Sequence, residues 1–400
     1  MRPLARVATA ALIASLVPVA AGTASSSAAA PEPTPAPLKT AADAVPGQYI
    51  VTLEKGQDAA EVVQRLGLKA SFIYTSALNG FAVPLTPLQL TLVRNSLGVK
   101  TVEEDAEVQS VPRPSTAPGT RAPSSSWGLD RIDQEKLPLD SNFTVNGNGA
   151  GVTAYILDTG IDYAHTEFGG PDATRAAFGF DAMNDGRNGQ DCQGHGTHVA
   201  GTVAGQTYGV AKKAGLVSVR VLGCDGKGTY SGIIAGLDWV AKNAQQPAVL
   251  NGSLGGELSE ALNDAANAVT DAGVLPVIAA GNSAESACTV SPASATKVFT
   301  VAASNQWDEE TSFSNHGTCV SLYAPGEAIV SAKLGGGSLA LNGTSMAAPH
   351  VAGVAVLYKA KNPAAAPEDI VEFLDNESTK DLLTSISPGT SNKLLRTGGL

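Results

Sequence analysis

Three polar residues, far apart in the 400-residue chain, are of the types that nucleophilic hydrolysis needs. Ser345 stands within NGTSMAAPHV at 342–351, with small residues before it and an apolar run, Met346 to Leu357, after it. Small residues let a backbone turn sharply. The apolar run reads as a buried helix interrupted only by Pro349, which a first turn tolerates. Ser345 would then head a helix, where free N–H groups and the helix dipole favour negative charge. His195 lies in Gly194-His195-Gly196-Thr197-His198 and opens another helical stretch. Asp158 ends an apolar strand in Leu157-Asp158-Thr159-Gly160. A serine hydroxyl is a poor nucleophile until a base takes its proton. Histidine titrates near working pH, and a buried carboxylate fixes its tautomer and stabilises the imidazolium. Each residue alone also has an ordinary role open to it. Ser345 fits a helix N-cap, Asp158 a helix cap and His195 a core histidine. His195 and His198 would make half a metal site, but no glutamate stands between them, so the zinc-protease motif is absent.

These residues need elements to carry them. From Trp127 onward the chain holds continuous apolar runs, the mark of strands buried on both faces. The runs are 151–157 (GVTAYIL), 215–222, 248–251, 274–280 and 298–303. Helical stretches at 197–204, 230–243 and 259–272 lie between them. Strands alternating with helices indicate an α/β domain with a mostly parallel sheet. In such sheets ligands bind outside the carboxyl ends of the strands. Ahead of it, about 45–113 reads β-α-β-β-α-β: strands at 48–53, 70–75, 80–85 and 99–111, helices at 58–66 and 86–97. That order is a ferredoxin-like α+β signature. Residues 31–44 read as a Pro/Ala/Thr-rich linker and 114–126 as an exposed, cuttable one.

Composition bounds the rest. Hydrophobic residues make up 43% and charged ones 16%, enough apolar material for a large core. A net charge of −11 argues against a nucleic-acid partner, which would need a basic face. Residues 1–30 read as a secretory signal: Arg2 and Arg6, a short apolar run at 8–21, then small residues with cleavage after Ala24 or Ala30. The apolar run falls short of the about 20 residues a membrane span needs. The expectation is an exported protein with no membrane attachment after signal removal. Cys192, Cys224, Cys288 and Cys319 suggest two disulfides in an oxidising compartment, with three pairings open.

The chain order Asp, His, Ser is not the Ser-first order of α/β-hydrolases, and GTSMA lacks the last glycine of their nucleophile elbow. At this point the sequence resembles the subtilase family of serine proteases, in its proteinase-K-like branch. The resemblance rests on AYILDTGI around Asp158, DCQGHGTHVAGTVAG around His195, NGSLGG at 251–256, AAGN at 279–282 and NGTSMAAPHVAG around Ser345. It spans 127–400. It implies a Ser345-His195-Asp158 triad and Asn282 as a side-chain donor to the oxyanion. It also implies Ser253, Leu254 and Gly255 as a backbone segment that pairs with substrate, and Gly226, Lys227 and Gly228 as the facing edge. These loops carry few charges, so an apolar, permissive pocket is expected for the residue before the cut. The branch's cysteine spacing implies bridges 192–224 and 288–319. The first unit resembles the subtilisin propeptide, through PGQYIVTL, ALNGFAV and TVEEDAEVQSV. That implies an intramolecular chaperone and inhibitor whose tail the enzyme cuts.

Two positions depart from the family pattern. Ala348 stands where the serine motif usually carries Ser or Thr. Ser321 stands where relatives often place a calcium-binding Asp, and a neutral hydroxyl is a weak ligand for a hard cation. The resulting expectation is a secreted, monomeric serine endopeptidase, autoprocessed from a pre-pro-protein. It would act on proteins and peptides with no catalytic cofactor, and structural calcium finds no support at Ser321.

Overall fold

The computed structural model describes residues 34–110 and 127–400, with the backbone of 113–114 between them. The leader expected over 1–30 and most of the linker expected over 114–126 lie outside the described residues. Pro35–Leu400 form one compact unit.

The N-terminal part runs β1 (Leu38–Lys39), β2 (Ala44–Leu53), α1 (Ala59–Arg65), β3 (Phe72–Tyr74), β4 (Gly80–Pro84), α2 (Pro87–Arg94) and β5 (Val99–Gln109). Local chemistry starts each helix. The Asp58 side chain accepts from the Glu61 amide, and Thr86 with Gln89 forms a capping box with Pro87 in the first turn. The sheet order is β1-β5-β2-β4-β3, with β5 beside β2 as the ferredoxin-like order requires. One expectation changes. The linker read over 31–44 already contains β1, whose Leu38 pairs with Val102 of β5. Ala36 is buried, and its amide donates to the Arg94 carbonyl at 2.7 Å. Two residues show no alternation, so only the distant partner strand reveals them.

After β6 (Arg113–Pro114) come α3 (Trp127–Ile132), β7 (Thr153–Asp158), β8 (Ala176–Asp181), α4 (His195–Ala204), β9 (Gly215–Arg220) and β10 (Lys227–Thr229). The chain continues through α5 (Tyr230–Asn243), β11 (Ala248–Gly252), β12 (Gly256–Glu257), α6 (Glu260–Asp271), β13 (Leu275–Ala279), β14 (Val290–Ser291) and β15 (Phe299–Ser304). It closes with β16 (Leu322–Pro325), β17 (Ile329–Ala332), β18 (Ser338–Asn342), α7 (Thr344–Lys361), α8 (Pro367–Glu377), β19 (Thr379–Lys380) and β20 (Lys393–Leu394). The main sheet is ordered β19-β20-β16-β15-β13-β11-β7-β9-β8. All neighbours are parallel except β19 and β20. β11 and β13 are buried along their whole length, as their unbroken apolar sequences require. From β7 the chain first builds toward β9 and β8, then crosses to β11 and beyond. The sheet therefore reverses its winding direction at β7, the kind of crevice where open α/β sheets bind ligands.

The N-terminal part packs on α5 and α6. Ile50, Tyr74, Leu78 and Val108 share an apolar cluster with Ile233, Ile234 and Leu237. Asp238 of α5 accepts from the amides of Thr75, Ser76 and Ala77 at 2.9, 2.6 and 2.7 Å. Asp105 accepts from the Ser231 amide and Glu103 from the Ala261 amide, each at the start of a helix whose free N–H groups attract a carboxylate.

Candidate active site

Asp158 is the last residue of β7, at the carboxyl end of the strand where the winding reverses. Its Oδ1 accepts from the Thr159 amide at 2.7 Å and lies 2.7 Å from His195 Nδ1. A carboxylate oxygen only accepts, so Nδ1 carries the proton and Nε2 is left with a lone pair. Nε2 is buried, with no hydrogen-bond partner among the described residues. Asp158 is 0% exposed, His195 1% and Ser345 4%, so the pair lies in a low-dielectric setting. Burial disfavours the imidazolium. The charge and hydrogen bond of Asp158, with the charge of Asp191, outweigh it and raise the His195 pKa above the ordinary 6.5.

His195 is the first residue of α4. Gly196 is required by close approach: a Cβ there would meet the Gly160 carbonyl oxygen at 2.2 Å. The start of α4 is held by Asp191, which the sequence reading did not single out. Asp191 Oδ1 accepts from the Gln193 and Gly194 amides and from Thr159 Oγ1, all at 2.9 Å. Its Oδ2 accepts from the Thr197 amide at 2.9 Å and from Thr197 Oγ1 at 2.6 Å. One buried carboxylate thus ties the helix of His195 to the residue after Asp158. An aspartate just ahead of a helix was the available signal.

Ser345 is the second residue of α7, so the helix starts where the serine motif suggested. Pro349 is the departure. It lies inside the helix and has no N–H to give the Ser345 carbonyl. Ser253 fills that gap, donating from Oγ to the Ser345 oxygen at 2.9 Å, while Asn251 Nδ2 donates to Ser253 Oγ at 2.8 Å. Ser345 Oγ donates to the Ser253 carbonyl at 3.2 Å. That is long for an O–H···O bond and leaves the hydroxyl a soft rotor. No hydrogen bond from Ser345 to His195 is made among the described residues. Helices α4 and α7 share the main core through Val199, Met346 and Ala347; Ala348, the unusual residue, is fully buried there too.

The amide of Thr344 donates to Asn282 Oδ1 at 2.8 Å, and Thr344 Oγ1 to the same oxygen at 3.0 Å. A backbone N–H must face an oxygen, so the Asn282 amide presents Nδ2 on its other side. Gly343 has φ +150°, and a Cβ there would lie 3.3 Å from Asn282 Nδ2. Glycine therefore avoids crowding this donor.

A cavity of about 340 Å³ is lined by Ser253, Leu254, Gly255, Ala279, Asn282 and Ser345, with Val108 and Gln109 of β5 at its wall. Gly226, Lys227 and Gly228 do not line this cavity; they run along β5 instead. Lys227 and Gly228 of β10 pair antiparallel with Gln109 and Val108, and the Ser110 amide donates to the Gly226 carbonyl at 2.9 Å. Ser253, Leu254 and Gly255 show no strand pairing among the described residues. Downstream, Asn342 and Leu341 of β18 pair with Arg113 and Pro114 of β6. Strand pairings thus lie on either side of the stretch between Ser110 and Arg113.

Disulfides join Cys192 to Cys224 and Cys288 to Cys319. Ser321 Oγ accepts from the Thr300 amide at 3.2 Å. A neutral hydroxyl is a weak ligand for a calcium ion. No cluster of three or more His, Cys, Asp or Glu placed to hold a metal occurs among the described residues. Nor does any helix among them have the length and apolarity to cross a membrane.

Comparison with known proteins gives the family. Residues 149–397 match the subtilase family model. Alkaline serine exoprotease A of Vibrio alginolyticus is 42% identical over 383 residues, covering 92% of this chain and 70% of that protein. The extracellular serine proteinase of Thermus sp. (strain Rt41A) is also 42% identical, covering 89% and 91%. The crystal structure of a cold adapted subtilisin-like serine proteinase superposes with a TM-score of 0.66 at 48% identity, covering 68% of this chain and 99% of that one. With a mostly parallel sheet that reverses at Asp158 and a buried imidazole on that carboxylate, the chain belongs to the subtilase family and is a subtilisin-like serine protease.

Proposed function

We propose that this protease is an exported endopeptidase that cuts its own N-terminal part away and then cleaves protein chains. Ser345 Oγ turns from the Ser253 carbonyl toward the base and attacks the substrate carbonyl carbon. His195 Nε2 takes the hydroxyl proton, and Asp158 stabilises the imidazolium that results. The tetrahedral oxyanion is held by Asn282 Nδ2 and the Ser345 amide at the start of α7, where the helix dipole adds favourable potential. His195 then protonates the leaving amine, the acyl-enzyme forms, and water releases it by the same steps in reverse.

The observation that carries this reading is the Nδ1-to-carboxylate contact, which leaves the other ring nitrogen as an unused acceptor in a buried site. The flanking strand pairings support self-cleavage between Ser110 and Arg113, just ahead of the cuttable linker expected over 114–126. The caps that Asp105 and Glu103 place on α5 and α6, and the pairing of β5 with β10, support an inhibitory hold by the N-terminal part. The cavity's peptidase-side lining is mostly apolar or uncharged, with Glu257 and Glu285 as its charged members, which supports broad selection of apolar residues before the cut. Export rests on the leader's composition and on the extracellular relative. The test is Ser345→Ala, produced without other proteases. It is expected to stay full length and to leave casein intact. Normal maturation in that variant would overturn self-processing.

A further inference from the structure

Of the buried histidines that the chemistry above does not use, His198 lies nearest in sequence to the base. His198 follows His195 by three residues on α4, so the two lie one turn apart on neighbouring faces. His198 Nε2 is 3.1 Å from the Ile329 carbonyl of β17 and 3.0 Å from the Leu339 carbonyl of β18. Carbonyls only accept, so Nε2 carries the proton and divides it between the two strands. In return the His198 carbonyl accepts from Ser331 Oγ of β17 at 2.8 Å. Burial holds the His198 pKa down at about 3, so the ring stays a neutral donor throughout the working range. β17 and β18 are a hairpin, with Ser331 opposite Leu339 and Ile329 opposite Leu341. The other edge of β18 meets the chain just after the stretch between Ser110 and Arg113, through Asn342 with Arg113 and Leu341 with Pro114. Beyond that pairing the edge continues through Ser338 to Ala340, and the Leu339 side chain is 45% exposed.

We propose that His198 is a positioning residue for the leaving side of the cleft. It fastens the β17–β18 hairpin, whose edge pairs with chain beyond the cut, to the helix that begins with the general base. The ligand class is an extended peptide with several residues after the scissile bond. Such a peptide adds a strand to β18 and gains backbone hydrogen bonds only if that edge is held in register with His195. A substrate that ends in a chromogenic anilide has no chain beyond the cut and makes no use of this edge. The proposal rests on the proteolytic reading.

The test compares two substrates sharing one sequence before the cut: a p-nitroanilide, and a peptide with several residues after it. His198→Leu keeps bulk and removes the donor; His198→Gln restores an N–H. With Leu, kcat/KM is expected to fall about tenfold on the peptide and at most about threefold on the anilide, chiefly through KM. Gln is expected to recover most of the loss. Equal losses on both substrates, or no loss on the peptide, overturn the proposal. Should the Leu variant fail to fold, Ser331→Ala removes the second tie and leaves the ring; it is expected to weaken the peptide reaction selectively by about threefold, and an equal effect on both substrates overturns the proposal. A wild-type chain that cleaves neither substrate overturns the proteolytic reading itself, and this proposal with it.

Discussion

Asp191 never touches substrate, yet the site is built around it, so its replacement should separate architecture from chemistry. Its carboxylate is 7% exposed and accepts from three backbone amides and two threonine hydroxyls. Loss of a helix-capping side chain costs about 1–2 kcal/mol. Each buried donor left without an acceptor adds about 1–3 kcal/mol, though water entry and relaxation keep the sum well below additivity. Asp191→Ala should therefore destabilise by about 3–5 kcal/mol, at the high end for a single substitution. Asp191→Asn keeps one acceptor oxygen and should cost about 2 kcal/mol. At about 2–4 °C per kcal/mol, the Asn variant should melt about 4–8 °C lower. Scanning calorimetry on the Ser345→Ala background avoids self-digestion during the scan. A second readout follows from charge. Asp191 helps raise the His195 pKa, so Asp191→Asn should move the acid limb of kcat/KM to lower pH in the otherwise active enzyme. An Asn variant with unchanged melting temperature and an unmoved acid limb would refute the role assigned to this carboxylate.

The remaining expectations are more direct. Asn282→Ala should lower kcat about 100–1,000-fold with little change in KM if, as proposed, its amide acts on the transition state; a KM-only effect would place it in ground-state binding. The proposed mechanism requires neutral His195, whose pKa is raised above 6.5, so kcat/KM should fall as pH drops through a midpoint above 6.5, and Asp158→Asn should shift that midpoint downward. Gly343→Ala should impair turnover more than folding, because its Cβ would crowd Asn282 Nδ2 at 3.3 Å; comparing kcat with the melting temperature decides this. Replacing Cys288 and Cys319 by serine opens a loop with a sequence separation of 31 and should cost about 3–4 kcal/mol if chain entropy dominates, read as a lower melting temperature.

Much of this was legible because chemistry and strand ends coincide. The run 151–157 identified β7 from its apolarity, and Asp158 at its end is where the winding reverses. The motifs around His195 and Ser345 are long enough to name a family unaided. Polar pairing across the chain was not legible. Ser253 answers the carbonyl that Pro349 cannot, 92 residues from Ser345, and His198 reaches carbonyls 131 and 141 residues away. No local pattern encodes such bonds, since a hydroxyl or an imidazole suits many surroundings. β1 was missed for the same reason: its only signature is the partner strand.

The central claim is that Ser345 is a nucleophile activated by His195. Its most direct test is labelling of the mature enzyme with a peptidyl phosphonate, mapped by mass spectrometry and timed in wild type and His195→Ala. One label per chain on Ser345, formed far more slowly without the imidazole, is the expected result. A label on another residue, or full-rate labelling of Ser345 in the His195→Ala variant, would contradict it.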